Sequence, residues 1–135
     1  MSRVVLDTDV VIAALDRADA NHRAAARGVK RMVADGVELA LSLVNYAEVL
    51  VRPAEATETL RAAVDAIDAL GIELVAPTTG IARDAAGLRS AGGISLADGF
   101  AVATARARGA AIASFDKRVR GVVRRAGGEL APALR

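Results

Sequence analysis

The 135-residue sequence contains no cysteine and only one histidine, His22. Without cysteine, the chain has no thiolate nucleophile, no zinc–thiolate site and no redox pair. A single histidine cannot form a two-histidine ribonuclease site or an H-E-x-x-H zinc site, so we expect His22 to be an ordinary surface or core residue near a helix start. An enzyme of this composition must therefore use carboxylates, hydroxyls, amines or a bound ion.

Long hydrophobic runs are also missing. No uncharged apolar segment reaches the roughly 18 residues that span a bilayer. Asp7 and Asp9 interrupt the apolar N-terminal run too early for a signal peptide. We therefore expect a cytoplasmic protein with no membrane partner, and the lack of cysteine agrees with that location.

The residues that are present indicate a folded chain with an uneven charge distribution. The composition is 53% hydrophobic, and the length predicts a single domain over residues 1–135. Net charge is only +2, but residues 106–135 contain eight basic and two acidic side chains, a local charge of +6. Such a surface attracts polyanions such as nucleic acid, although solvated helix faces often have the same composition.

Short apolar segments alternate with helical patterns along the chain. The predicted strands are 4–6, 38–41, 73–75 and 111–113, with a possible fifth at 129–131. The predicted helices are 10–15, 20–34, 43–51, 56–70, 81–89, 96–108 and 118–125. This alternation predicts βαβ units, and hence an α/β fold with a parallel sheet covered on both faces.

Two aspartates interrupt an otherwise apolar run in the segment RVVLDTDVVI, residues 3–12. Asp7 falls at the carboxyl end of the first predicted strand, where parallel sheets bind their ligands. Aspartate there could simply cap the next helix, but Thr8 and Asp9 can do so as well. We therefore assign capping mainly to Asp9 and a functional role to Asp7.

Glu48 is the second candidate. It shares the i, i+3, i+4, i+7 spacing of Val44, Ala47 and Val51, which predicts an inward-facing position on an apolar helix face. A carboxylate there must be paired, neutralised or bound to an ion. The alternative is a salt bridge to Arg52.

Asp98 and Asp116 complete a set of four acidic residues. Alone, Asp98 fits a capping box with Ser95, and Asp116 could begin the last helix. Strand ends and helix starts meet at one edge of a parallel sheet, however, where several carboxylates would raise one another's pKa values. A divalent cation removes that repulsion, and an all-oxygen site favours Mg²⁺ or Mn²⁺.

The motifs around these acids resemble the PIN domain family, and specifically the VapC-type toxin ribonucleases of bacterial toxin–antitoxin pairs. The likeness runs from residue 4 to about residue 119. It depends on LDT at 6–8, AEVL at 47–50, LADGFAVATA at 96–105 and ASFDK at 113–117.

The resemblance implies a three-layer α/β/α sandwich with a central parallel sheet of four to five strands. It implies that the acidic metal site consists of Asp7, Glu48, Asp98 and Asp116, with Thr8 and Ser114 in supporting positions. It also implies an endoribonuclease that uses water activated by Mg²⁺ or Mn²⁺, a VapB-type antitoxin partner and a homodimer. The basic residues Lys117, Arg118 and Arg120 are candidates for holding the RNA backbone.

Two other functions fit parts of the sequence. The D-x-D at Asp7 and Asp9 also resembles haloacid-dehalogenase-type phosphatases, with Asp7 as covalent nucleophile, Asp9 as general acid, and Ser42 and Lys117 in support. That family needs a late aspartate pair, of which only Asp116 is available. The third reading is a non-catalytic PIN-like module that binds RNA or a protein.

Overall fold

The computed structural model of the chain describes residues 2–131 and 134. Four strands form its central sheet: β1 (Arg3–Leu6), β2 (Glu38–Ser42), β3 (Glu73–Val75) and β4 (Ala111–Ala113). The helices of the described residues are α1 (Thr8–Leu15), α2 (His22–Ala34), α3 (Leu43–Leu50), α4 (Thr57–Ala69), α5 (Thr79–Gly92), α6 (Leu96–Arg108) and α7 (Lys117–Arg125), with a short 3₁₀ helix at Pro53–Glu55.

The sheet is covered by helices on both faces. Successive side chains of a strand point to opposite faces, so neighbouring residues of β1 belong to different cores. Leu6 packs in one core with Val10 of α1 and Val29 of α2. Val5 packs in the other core, which includes Val102 of α6. The predicted α/β/α sandwich is confirmed.

The strand order places a switch point between β1 and β4. All pairings are parallel and the order is β3-β2-β1-β4. The chain therefore adds β2 and β3 on one side of β1 and then returns to place β4 on the other side. Leu6 and Ala113, the last residues of β1 and β4, are paired in register. The residues that follow these two strands therefore leave the sheet side by side, where α/β sheets bind ligands.

The four main strands were predicted correctly, but the possible fifth strand at 129–131 does not form. Leu130 makes only an isolated bridge to Ile112. The segment follows Gly127, which has a φ of 76°, and Gly128. Only one residue is in strand register, so this segment covers the edge of β4 without extending the sheet.

The helices match their predicted positions to within three residues at each end, and α5 is longer than expected. Thr78 caps α5 by accepting a hydrogen bond from the Ile81 backbone N–H, and the helix continues to Gly92, ending at the left-handed Gly93. His22 begins α2, and its Nδ1 lies 2.7 Å from the Ala13 carbonyl of α1, which is a structural role. Across the described ranges, no helix has the length and apolar character needed to cross a membrane.

Candidate active site

Asp7 links the ends of β1 and β4. Its backbone N–H donates to the Ala113 carbonyl at 2.9 Å. Its Oδ1 accepts from the Thr8 backbone N–H at 2.9 Å, and its Oδ2 accepts from the Ser114 hydroxyl at 2.7 Å. Only 1% of the residue is exposed. Asp7 is therefore both the N-cap of α1 and a buried carboxyl at the switch point.

The assignment of capping to Asp9 is wrong. The helix α1 begins at Thr8, two residues earlier than predicted, so Asp9 lies inside its first turn and cannot be the residue that precedes it. Asp9 Oδ2 instead accepts from the Phe115 backbone N–H at 3.1 Å. Its Oδ1 is buried and has no hydrogen-bond partner among the described residues. Asp9 thus belongs to the candidate site.

The loop after β4 contributes Ser114 and Asp116. The buried Ser114 hydroxyl, which donates to Asp7, also accepts from the Asp116 backbone N–H at 3.1 Å. The exposed Asp116 side chain caps α7 by accepting from the backbone N–H groups of Arg118 and Val119, at 2.8 and 3.2 Å. One serine therefore joins the two segments that carry Asp7 and Asp116.

Asp98 occupies the first turn of α6 and forms the expected capping box. The Asp98 backbone N–H donates to Ser95 Oγ at 3.1 Å, and the Ser95 N–H donates to Asp98 Oδ2 at 3.4 Å. This structural role does not separate Asp98 from the other acids, because its charge acts on both Asp7 and Asp9.

Two carboxyl groups of the cluster, those of Asp7 and Asp9, have raised pKa values. Burial, followed by the charge of Asp9 and then that of Asp98, raises the pKa of Asp7 to about 8 against the hydrogen bonds from Ser114 and Thr8. Burial is also the largest cause that raises the pKa of Asp9 to about 6, with Asp116 and Asp98 adding to it. Four aspartates therefore form one interacting cluster.

Glu48 does not face inward as predicted. The buried residues of α3 are Asn45 and Val49, while Glu48 is exposed. The apolar residues of α3 itself occur on all of its sides, so periodicity alone selects the wrong face as the buried one. Glu48 is not among the charges that raise the pKa values of Asp7 and Asp9. It lines a groove beside Val49.

Asn45 and Thr8 form a buried polar connection. Thr8 was a predicted supporting residue of the site, whereas Asn45 was not among the predicted residues. Asn45 has no exposed surface and Thr8 has 6%. Asn45 Nδ2 donates to Thr8 Oγ1 at 2.9 Å and to the Ala97 carbonyl at 3.1 Å. The Asn45 Oδ1 atom has no partner among the described residues. The sequence signal was present: an asparagine inside an apolar helix, three residues before Glu48.

The predicted RNA-binding residues lie at the start of α7, close to Asp116. Lys117 and Arg118 are exposed. Arg120 is partly buried, and its Nη1 donates to the Ser114 carbonyl at 3.1 Å. Arg120 therefore supports the loop that holds Asp7, in addition to any contact with a polyanion.

The donors around Asp7 fit a hard divalent cation. As they stand, no three histidine or acidic side chains within residues 2–131 and 134 form a ready-made metal site. Two buried oxygens in this region, Asp9 Oδ1 and Asn45 Oδ1, lack a donor, and a buried acceptor without a partner costs free energy. A hard divalent cation would balance the clustered charge of the aspartates, and such ions prefer oxygen ligands.

A family model described as the PIN domain matches residues 4–124. The search of curated proteins gave no match.

Several solved structures share the fold. The chain aligns with VapC20 of Mycobacterium tuberculosis, described as a sarcin–ricin loop cleaving toxin, with a TM-score of 0.72 and 19% identity over 95% of this chain and 98% of that one. It aligns with VapBC-1 of nontypeable Haemophilus influenzae with a TM-score of 0.73 and 14% identity over 98% and 99%. For FitAcB of Neisseria gonorrhoeae the TM-score is 0.69 and the identity 19%, over 96% and 97%.

At these identities the structural likeness concerns the fold. The family model, in contrast, covers most of the sequence and includes all four aspartates of the cluster. With its parallel sheet and its acidic residues at the β1–β4 switch point, the chain belongs to the PIN domain family.

Proposed function

We propose that this PIN domain is a Mg²⁺- or Mn²⁺-dependent endoribonuclease and the toxin component of a type II toxin–antitoxin pair. The observation that carries the proposal is the buried Asp7 carboxyl at the switch point, bonded to Ser114 and acted on by the charges of Asp9 and Asp98. Burying such a carboxyl group beside other charges costs folding free energy unless it binds a ligand. The structures of VapBC and VapC proteins that share the fold support the toxin assignment.

The acidic and polar side chains of the site have different proposed roles. Asp7, Asp9, Asp98 and Asp116 would hold the ion, with Glu48 as a candidate ligand at the exposed side. When bound, the ion supplies a water of lowered pKa and neutralises charge on the phosphate. Ser114 orients Asp7 through the 2.7 Å hydrogen bond. With few aromatics for base stacking, we propose that the RNA is selected by its shape and by phosphate contacts.

Cleavage of total RNA tests the proposal. We expect cleavage with Mg²⁺ or Mn²⁺, none with EDTA, and products with 3′-OH ends. Asp98→Asn should abolish cleavage, whereas Asp65→Asn, which changes an exposed carboxylate on α4, should not. Metal-independent cleavage, or full activity of Asp98→Asn, would show the site to be wrong.

The phosphatase alternative has less support. Ser42, one of its supporting residues, is buried and its hydroxyl accepts from the Val44 backbone N–H at 3.2 Å, as the N-cap of α3. The family match is to the PIN domain. A trapped aspartyl-phosphate on Asp7 would favour the phosphatase. Tight RNA binding without cleavage under any metal condition would favour a non-catalytic module.

We further propose that a VapB-type antitoxin inhibits this site by placing an arginine among the acidic residues. The guanidinium fork suits carboxylates. A groove of about 880 Å³ lined by Ile12, Leu15 and Val49 runs between α1, α3 and α4, and Glu48 is also among its lining residues. The groove could take the apolar part of the same segment.

Titration with the protein encoded by the neighbouring gene tests the competition. We expect the inhibitor to bind less tightly as Mn²⁺ is added and less tightly to Asp98→Asn. Binding that responds to neither change would place the inhibitor elsewhere, without affecting the nuclease proposal.

We also propose a homodimer, following the family resemblance. Large apolar side chains, among them Leu43, Val51 and Leu96, are exposed in the single chain, and such residues are covered in many interfaces. Light scattering of the purified protein would distinguish a dimer from a monomer.

A further inference from the structure

Asn45 occupies the junction between α1 and α6, the two helices whose first turns carry Asp9 and Asp98. Its amide lies on α3, is completely buried, and reaches one residue on each neighbouring helix. One N–H group donates to Thr8 in the first turn of α1, and the other donates to the Ala97 carbonyl in the first turn of α6.

The two partners are the sequence neighbours of the acids. Thr8 lies between Asp7 and Asp9, and Ala97 immediately precedes Asp98. A change in either hydrogen bond would therefore act on the spacing between the β1–α1 corner and the start of α6. No other side chain of the described residues donates to both of these segments.

Stability alone gives a weak reason for an amide at this position. Asn45 Oδ1 is buried without a donor among the described residues, and an unsatisfied buried acceptor is destabilising. An apolar side chain of similar volume would avoid that loss at the position itself, and would remove only the donors to Thr8 Oγ1 and the Ala97 carbonyl. The amide is therefore better explained by what its two N–H groups hold in place.

We infer that Asn45 is a positioning residue that sets the separation between the β1–α1 corner, with Asp7 and Asp9, and Asp98 on α6, and so prepares the carboxylates to bind one divalent cation. The inference rests on the proposed function and names a further residue of that site. Partners that orient metal ligands typically affect metal affinity about 10- to 100-fold when they are removed.

The test is the Mn²⁺ dissociation constant of the full chain, measured by calorimetry well below the melting temperature. Asn45→Ala removes both donors, and Asn45→Ser keeps one short donor that can reach at most one partner. Circular dichroism confirms that each variant is folded, and Asn45→Ser serves if Asn45→Ala does not fold. We expect Mn²⁺ to bind about 10- to 100-fold more weakly to the folded variant.

Thr104→Val is the matched control. Thr104 is also completely buried, on α6, but its hydroxyl donates within its own helix to the Phe100 carbonyl at 2.7 Å. Its loss should lower the melting temperature and leave Mn²⁺ affinity unchanged, as expected of a purely structural residue.

The outcomes separate the two proposals. A folded Asn45 variant that binds Mn²⁺ as tightly as the wild type overturns the positioning role and leaves the nuclease proposal intact. Equal weakening in Thr104→Val also overturns it, because affinity would then follow general stability. A wild-type protein that binds no Mn²⁺ overturns the metal-dependent function, and the role of Asn45 falls with it.

Discussion

Asp7 is a carboxyl group whose position opposes its ionisation. Burial removes it from water, and the charges of Asp9 and Asp98 add repulsion, so its pKa reaches about 8. The unfolded chain releases this proton near pH 4. As pH rises from about 4 to about 8, the unfolded state therefore ionises first, and the metal-free fold loses stability over that interval.

The first prediction concerns Asp7→Asn without metal. Asparagine caps helices as well as aspartate does, and its amide can donate to the Ser114 hydroxyl that now donates to Asp7. At pH 8 the variant should be more stable than the wild type, by on the order of a few kcal/mol, and near pH 4 the difference should vanish.

Urea unfolding in EDTA at several pH values measures this effect, with Asp65→Asn on the exposed face of α4 as the control. The variant should also fail to cleave RNA. A variant that is less stable than the wild type at pH 8 would mean that ionisation of Asp7 does not destabilise the fold.

The second prediction is that Mn²⁺ binding strengthens as pH rises from about 5 to about 8. Protons compete with the ion for Asp9, whose pKa is about 6, and for Asp7, whose pKa is about 8. Calorimetry in two buffers of different ionisation enthalpy gives the protons released. Asp9→Asn should flatten the profile between about pH 5 and 7, and an affinity that is constant over the whole range would contradict this competition.

At the scale of elements, the contact between α5 and α6 determines where Asp98 lies. Gly99 follows Asp98, and a Cβ atom built on it would lie 2.8 Å from the Ala85 backbone oxygen. Backbone cannot move aside as a flexible side chain can. The absence of a side chain at Gly99 is therefore what lets α6 approach α5 this closely.

The third prediction is that Gly99→Ala destabilises the protein and disturbs the site. The helix propensity of alanine would contribute up to about 1 kcal/mol in favour, but overpacking against backbone typically costs about 1–3 kcal/mol. Because α6 must shift, RNA cleavage should fall more than stability alone explains.

Gly87→Ala provides the comparison. Gly87 lies in α5, and an added Cβ would meet nothing within 4 Å, so this variant should gain about 0.5–1 kcal/mol. Thermal melts and cleavage rates of both variants test the pair. Equal effects of the two substitutions would rule out the close contact.

The helix α7 has cations at both ends, and only its first turn adjoins the site. The fourth prediction compares Lys117→Ala/Arg118→Ala with Arg124→Ala/Arg125→Ala in the inactive Asp98→Asn background. Both pairs are exposed and remove the same charge. Each lost phosphate contact to single-stranded RNA should reduce the salt dependence of binding by a slope of roughly 0.7.

We expect the first pair to lower RNA affinity and this slope, and the second pair to have a smaller effect. Fluorescence anisotropy at several salt concentrations gives both quantities. Indistinguishable double variants would mean that general charge, and not position near Asp116, attracts the RNA.

At the scale of the whole molecule, the site is assembled only by folding. Asp9 bonds to Phe115 and Asp7 to Ser114 across more than 100 residues of sequence. An ion that binds this set does not bind the unfolded chain in the same way, so it stabilises the native state.

The fifth prediction is therefore that Mn²⁺ raises the melting temperature. At 100 times its dissociation constant, a ligand contributes about 2.7 kcal/mol, which in a domain of this size is a shift on the order of 10 °C. Melts in EDTA and in Mn²⁺ test it, and Asp7→Asn should show a much smaller shift. Superimposable wild-type curves would argue against an ion site.

The sequence by itself determined the order of the elements and the edge of the sheet where the acids meet. Short apolar strands alternating with helices leave few arrangements other than a covered parallel sheet. Aspartates placed just after β1 and β4 then fall at neighbouring strand ends. Both inferences depend on local patterns, namely periodicity, capping residues and glycine stops, which a single segment contains.

Only the tertiary structure decided which side chains face the site. Because apolar residues lie on all sides of α3, the sequence allowed either face to be buried. Packing buried Asn45 and Val49 and left Glu48 exposed. The role of Asp9 likewise follows from the Phe115 backbone N–H, a donor 106 residues away. Such contacts are set by how helices pack on the sheet, and no local period encodes them.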